Sequence, residues 1–166
     1  SDIPLRPGLT CDAEIVAGGT VIVAPGVEVR IPLGTGLRVA GTLRAIGTKA
    51  SPCLLTTPGA SVGNAGTIDI AGGRVELTNC DINLTLVPYK NSILACGQSR
   101  FHTAGFITTA PNSFLEVPHT VVLSDCAFEG GGTASISDGN VAWRNVQLTN
   151  PSPIFAPAVL GGFAVL

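Results

Sequence analysis

Two carboxylates, Glu76 and Asp81, stand close together in the stretch GGRVELTNCDINL, residues 72–84, with Thr78 between them and Cys80 beside Asp81. Two carboxyl groups held at about 5 Å, or at about 6.5–9.5 Å, are what glycoside hydrolysis needs, one as acid and the other as nucleophile or base. Arg100, His102 and Arg144 follow downstream. Together with Glu76, Thr78 and Asp81 they form a candidate surface set for a sugar-binding groove. His102 and His119 have no Cys or carboxylate at ligand spacing, so no metal site is expected. The glycines sit at turn positions and form no phosphate-binding loop. No cofactor is expected.

The stretch that carries these residues reads as a strand whose alternation slips at Asn79, and the slip repeats. VELTNCDI (75–82), SRFHTAGF (99–106), VVLSDCAF (121–128) and VAWRNVQL (141–148) align without gaps. Leu77, Phe101, Leu123 and Trp143 make one apolar column. Cys80, Ala104, Cys126 and Val146 make a smaller one, and Ile82, Phe106, Phe128 and Leu148 a third. The break falls at Asn79, Thr103, Asp125 and Asn145, mostly residue types that tolerate left-handed backbone. The spacing is 24, 22 and 20 residues from Leu77 to Phe101, Leu123 and Trp143. A short alternating segment precedes each block, so the unit is strand, turn, strand, bend, strand. Gly, Pro and β-branched residues interrupt every window, and the apolar period is two, which excludes helices.

The N-terminal third carries a tighter form, with Val23, Val27 and Val29 matching Val39, Leu43 and Ala45 at a separation of 16. The segment between Gly47 and Gly66 reads as a loop bulging from a coil. The expected architecture is all-β: a right-handed parallel β-helix, or solenoid, of about six turns, about 30 Å tall at one strand spacing per turn. Residues 1–19 read as an N-terminal cap, 20–150 as the parallel β-helix and 151–166 as a hydrophobic tail or cap.

From GGTVIVAPGVEVRIPLGTGLRVAGTLRAIGTKASPCLLTT through GGRVELTNCDINL, the chain resembles the right-handed parallel β-helix repeat proteins of the pectin-lyase-like superfamily, above all their bacterial secreted and surface members. The resemblance implies ladders of stacked side chains at the bend, matched by Asn79, Asp125 and Asn145 and not by Thr103. Lyases of that superfamily use clustered Asp for calcium and an Arg base. Arg100 and Arg144 are present without an Asp cluster, so no catalytic residue is carried over. The fold hosts enzymes, adhesins and phage tail proteins alike.

On such a coil, one outward ladder is expected to run Thr78, His102, Ser124, Arg144. Glu76 would face Arg100 across one rung as a surface ion pair worth under about 1 kcal/mol. Ice binding would need a flat array of Thr, and Thr56, Thr57, Thr108 and Thr109 form no such column. Cys80 and Cys126 are expected two rungs apart, roughly 9.6 Å, with Ala104 between them, beyond disulfide reach. They read as buried free thiols. Cys11, Cys53 and Cys96 are open, with a Cys11–Cys53 bridge as one arrangement. The sequon NLT at Asn83 matters only in a glycosylating host.

The remaining signals are compositional. Charged residues make up 12% of the 166-residue chain, the net charge is −2, and the nine Lys and Arg are scattered, which argues against nucleic acid. The apolar C-terminal run is too short and too interrupted to span a bilayer. The chain opens with SDIPLRPG, which reads as a mature N-terminus after signal removal or as a trimmed chain. A surface so poor in charge is expected to be covered by neighbours. The tail supplies Ile154, Phe155, Val159, Leu160, Phe163, Val165 and Leu166 as a candidate interface. The expected function is therefore a non-catalytic structural or adhesive module of a larger extracellular, cell-surface or viral assembly, with other protein subunits as partners. The alternative is a carbohydrate-binding or polysaccharide-degrading protein.

Overall fold

A computed structural model describes residues 13–61, 63–109, 118–136, 139–149 and 163–165. Its strands come in threes. The first coil holds β1 (Ala13–Ile15), β2 (Thr20–Val23) and β3 (Glu28–Arg30), and the second β4 (Gly36–Val39), β5 (Thr42–Ile46) and β6 (Cys53–Thr56). The third holds β7 (Thr67–Ile70), β8 (Arg74–Thr78) and β9 (Cys80–Asn83), and the fourth β10 (Thr85–Pro88), β11 (Ile93–Gly97) and β12 (Arg100–His102). The fifth holds β13 (Phe106–Thr108), β14 (Thr120–Ser124) and β15 (Ala127–Glu129), and the sixth β16 (Thr133–Ser135), β17 (Asn140–Arg144) and β18 (Gln147–Thr149). A last strand, β19 (Phe163–Val165), follows.

Every third strand pairs in parallel. This generates sheet A (β1-β4-β7-β10-β13-β16), sheet B (β2-β5-β8-β11-β14-β17-β19) and sheet C (β3-β6-β9-β12-β15-β18). The chain is thus a parallel β-helix of six turns. Coil one already begins at Ala13–Ile15, which pairs with β4 inside the segment read as a cap; residues 1–12 lie outside the described residues.

Interior columns follow from the register. On sheet B, Leu43, Val75, Leu94, Val121 and Val141 stack, beside Val23, Ala45, Leu77, Cys96, Leu123 and Trp143. On sheet C, Val29, Leu55, Ile82, Phe101, Phe128 and Leu148 stack, and on sheet A, Leu37, Ile68, Leu86, Ile107 and Ala134. All but Trp143 and Leu148, in the last coil, are buried. The Phe101 and Phe128 rings lie parallel, with centroids 4.5 Å apart, because successive coils place identical side chains one strand spacing apart.

Two alignments made from the sequence are corrected by this register. In the fourth coil the equivalent of VELTNCDI is LACGQSRF, residues 94–101, since Leu94 pairs with Val75 and Phe101 with Ile82. The bend residue is Gln98 (φ 51°), matching Asn79 (49°), Asp125 (55°) and Asn145 (51°). Thr103 also has positive φ (24°), but it turns the chain from sheet C towards sheet A. Two kinds of corner with the same apolar spacing were therefore interchangeable in the sequence. In the first coils, Val21 and Val23 pair with Leu43 and Ala45, and Val29 pairs with Leu55, so the 16-residue match is not a rung. Nor is 48–65 a single loop: Cys53–Thr56 forms β6, flanked by short excursions at two corners. Gly47 fills the bend column in the second coil, where a Cβ would stand 2.4 Å from the Asn79 carbonyl oxygen.

Replacing Phe101 by Ala removes a ring from the middle of the stack and opens a cavity that rigid neighbouring coils cannot close. We expect Phe101→Ala to lose about 3–5 kcal/mol of stability in guanidinium unfolding, whereas Val122→Ala on the outer face of sheet B changes it by less than about 0.5 kcal/mol.

Candidate functional site

Side chains at alternate strand positions point outward, so each chemistry-bearing residue belongs to a ladder fixed by register. Thr78 belongs to the column Ile46, Thr78, Gly97, Ser124, Arg144 on sheet B. His102 is not part of it: it stands on sheet C in the column Asn83, His102, Glu129, Thr149. The neighbours of Glu76 across the rungs are Arg44 and Ala95, and Arg100 lies instead beside Asp81. The expected Glu76–Arg100 pair is therefore absent; its two members face outward from different sheets.

The corrected pairs form three clusters. In the first, Glu76 Oε2 lies 2.7 Å from Arg44 Nε, and Glu76 Oε1 accepts from Arg74 Nε at 2.5 Å. The Arg74 hydrogen bond, reinforced by the charges of Arg74 and Arg44, holds the Glu76 carboxyl below its usual range against a smaller opposing effect of burial. In the second, Asp81 Oδ1 accepts from Arg100 Nε at 3.1 Å and lies 3.5 Å from His102 Nε2, and His102 Nδ1 is 3.6 Å from Glu129 Oε2. The imidazole thus lies between carboxylates of the coils on either side. In the third, Asp125 accepts from Asn145 Nδ2 at 2.9 Å, from Ser124 Oγ at 3.1 Å and from Arg144 Nη2 at 3.3 Å. Asn145 first, then Ser124 and Arg144, hold its carboxyl below the usual aspartate range.

Between sheets B and C the one-residue bends leave a groove of about 600 Å³ along the corner. Asn79, Gln98 and Asp125 form its floor at the bend, Asp81 and Arg100 one wall, and Lys49 reaches it from the excursion after β5. The Asn79 amide donates to Gln98 Oε1 at 3.3 Å and to the Gly47 carbonyl at 3.4 Å, so the bend ladder is continuous across three coils. Of the six surface residues singled out in the sequence, Asp81 and Arg100 line this groove, whereas Glu76, Thr78, His102 and Arg144 do not. Gln98 and Lys49 went unnoticed. A repeat alignment with Gln accepted at the bend would have found Gln98, but no local signal marks Lys49.

The two carboxylates of the groove, Asp81 and Asp125, stand two coils apart, roughly 9.6 Å along the axis. That is the far limit of inverting-glycosidase spacing, and Asp125 is held charged by three donors. The arrangement can bind hydroxyl, amide or carboxylate groups; it does not present a free acid beside a free base. Among the described residues no group of three or more His, Cys, Asp and Glu side chains could hold a metal ion. Among those same residues no helix is long and apolar enough to cross a membrane. His119 is buried just before β14 and does not line the groove. Asn83 Oδ1 accepts the Ala104 backbone N–H at 2.9 Å, a structural role at the sequon.

Inside the corner, the thiol column also differs from expectation. Ser99, not Ala104, stands between Cys80 and Cys126, donating to the Gly97 carbonyl and accepting the Cys80 N–H. Cys53 lies under Cys80 in the neighbouring coil. Cys53, Cys80, Cys96 and Cys126 are buried free thiols, and Cys11 lies outside the described residues. Of the tail residues, the backbone of Phe163–Val165 adds β19 to β17 of its own chain; Ile154, Phe155, Val159, Leu160 and Leu166 lie outside the described residues.

Because the folded value of Glu76 is depressed, its contribution is present above the unfolded value near 4.5 and is lost as pH falls through the folded one. We expect the wild-type unfolding midpoint to drop on acidification from about pH 5 to about pH 3. Glu76→Gln should be less stable by up to about 1 kcal/mol at pH 7, with a shallower acid slope in calorimetry. No family model, curated protein or solved structure matches the chain, so the geometry alone supports the functional reading.

Proposed function

We propose that the chain is a non-catalytic structural or adhesive module of a larger extracellular, cell-surface or viral assembly, with other protein subunits as its partners. We further infer kinship with the pectin-lyase-like β-helix proteins, on the strength of the repeat and its bend ladder. The observation that carries the reading is the self-paired state of the outer ladders: Glu76 is engaged by two arginines, Asp81 by Arg100, and Asp125 by Arg144 and Asn145. Groups that could act as acid or base spend their hydrogen-bonding capacity on neighbouring coils. What is left for recognition is area: a stiff stack with exposed Ile22, Ile46 and Val122 on the outer face of sheet B and few free charges. Light scattering should give the intact chain a mass that is a multiple of 16.8 kDa. Val159→Asp with Leu160→Asp, substitutions outside the β19 residues, should lower it. A monomeric wild-type chain at micromolar concentration would overturn the assembly reading.

The corner groove favours a second reading, a carbohydrate-binding surface in which Arg100 and Gln98 present donors to sugar hydroxyls or carboxylates. Titration calorimetry with neutral and acidic oligosaccharides separates the two. The structural reading expects no saturable heat; saturable binding that weakens at least tenfold in Arg100→Ala with unchanged stability would place the function in the groove.

A further inference from the structure

The second and third coils place two thiols face to face. Cys53 opens β6 and Cys80 opens β9; they are direct register partners in sheet C, both pointing into the bore. Parallel strands lie about 4.8 Å apart, so the Cα separation falls within the 4.4–6.8 Å that a disulfide bridges. No other described cysteines are register partners: Cys126 is separated from Cys80 by Ser99, and Cys96, whose carbonyl accepts from the Cys126 thiol at 3.4 Å, pairs in register with Leu77 and Leu123. Each thiol presently donates to a carbonyl of the preceding coil, Cys53 to Ala24 at 3.3 Å and Cys80 to Ala45 at 3.4 Å. These are weak bonds that a disulfide could replace.

We propose that Cys53 and Cys80 are the partners of an inter-coil disulfide, a covalent staple between the second and third turns, formed with a disulfide oxidant such as oxidised glutathione. One thiolate attacks a glutathione sulfur, breaking its S–S bond and releasing one glutathione thiolate. The second protein thiolate then attacks the mixed disulfide and releases the other. The Sγ–Sγ bond forms, and the two cysteine protons end on two reduced glutathiones, which carry the two electrons. Timing follows from burial. Desolvation, helped by the adjacent Cys53, pushes the Cys80 thiol up to about 12, and burial also raises Cys53. Burial thus disfavours the thiolate in the folded coil, which makes refolding the stage at which to look for the bond.

The test refolds the wild-type chain from denaturant in a mixture of oxidised and reduced glutathione, alkylates it under denaturing conditions, and maps the peptides by mass. We expect three of the five cysteines to carry the label, with a Cys53–Cys80 peptide pair lighter by two hydrogens. Closing that loop should raise Tm by about 5–10 °C over the same chain refolded with reductant. Cys80→Ser should return label at all four remaining cysteines. Five labels in the refolded wild type, or Cys53 linked to Cys11 or Cys96, would overturn the proposal; because the mapping is made on the wild-type chain, it does not depend on any variant folding.

Discussion

Everything in this molecule depends on the in-register stacking of one coil on the next by parallel backbone hydrogen bonds. A slip of one residue would turn an entire interior column to solvent, so the register is enforced by every buried side chain at once. The coils are not of equal length. Between Val75, Leu94, Val121 and Val141 the steps are 19, 27 and 20 residues, yet these four stand in one column. The differences in length fall between the strands, where no register is required. Hence the strands are short and uniform while the connections vary.

The same constraint decides where chemistry can sit. A side chain on the outside meets its counterparts on the coils above and below at one strand spacing, about 4.8 Å, from which flexible side chains reach hydrogen-bond and ion-pair distance. Acid and base placed on adjacent rungs therefore neutralise each other, as Asp81 and Arg100 do, and Arg44, Glu76 and Arg74 do across the second and third coils. Pairs of this kind stabilise little individually, but they remove reactive groups from the surface. At the corner the spacing loosens, and only there does a groove open.

Inside, the constraint acts on like residues. Phe101 on Phe128 gains ring stacking, and Cys53 under Cys80 gains proximity because the two are register partners on successive coils. Stacking of like on like is what makes a β-helix tolerant of repetition, and it places identical reactive groups within bonding reach wherever a cysteine recurs.

The sequence by itself determined the fold class. An apolar period of two, broken by Asn79, Asp125 and Asn145, excludes helices and requires corners, and three of four units aligned correctly because their bend residues were Asn or Asp. It also made the Cys80 and Cys126 thiols interior, while Cys53 and Cys96 were placed there only by the structure. It did not determine the phase of the fourth coil, since Gln98 and Thr103 both sit at positive φ and both are followed by a buried residue, Ser99 or Ala104. That one ambiguity displaced His102 and Arg100 to the wrong ladder and hid the corner groove. Only the tertiary structure decided the partners, because a ladder contact joins residues about twenty apart, and their proximity is set by how long each corner excursion is, a length on which apolar alternation has no influence.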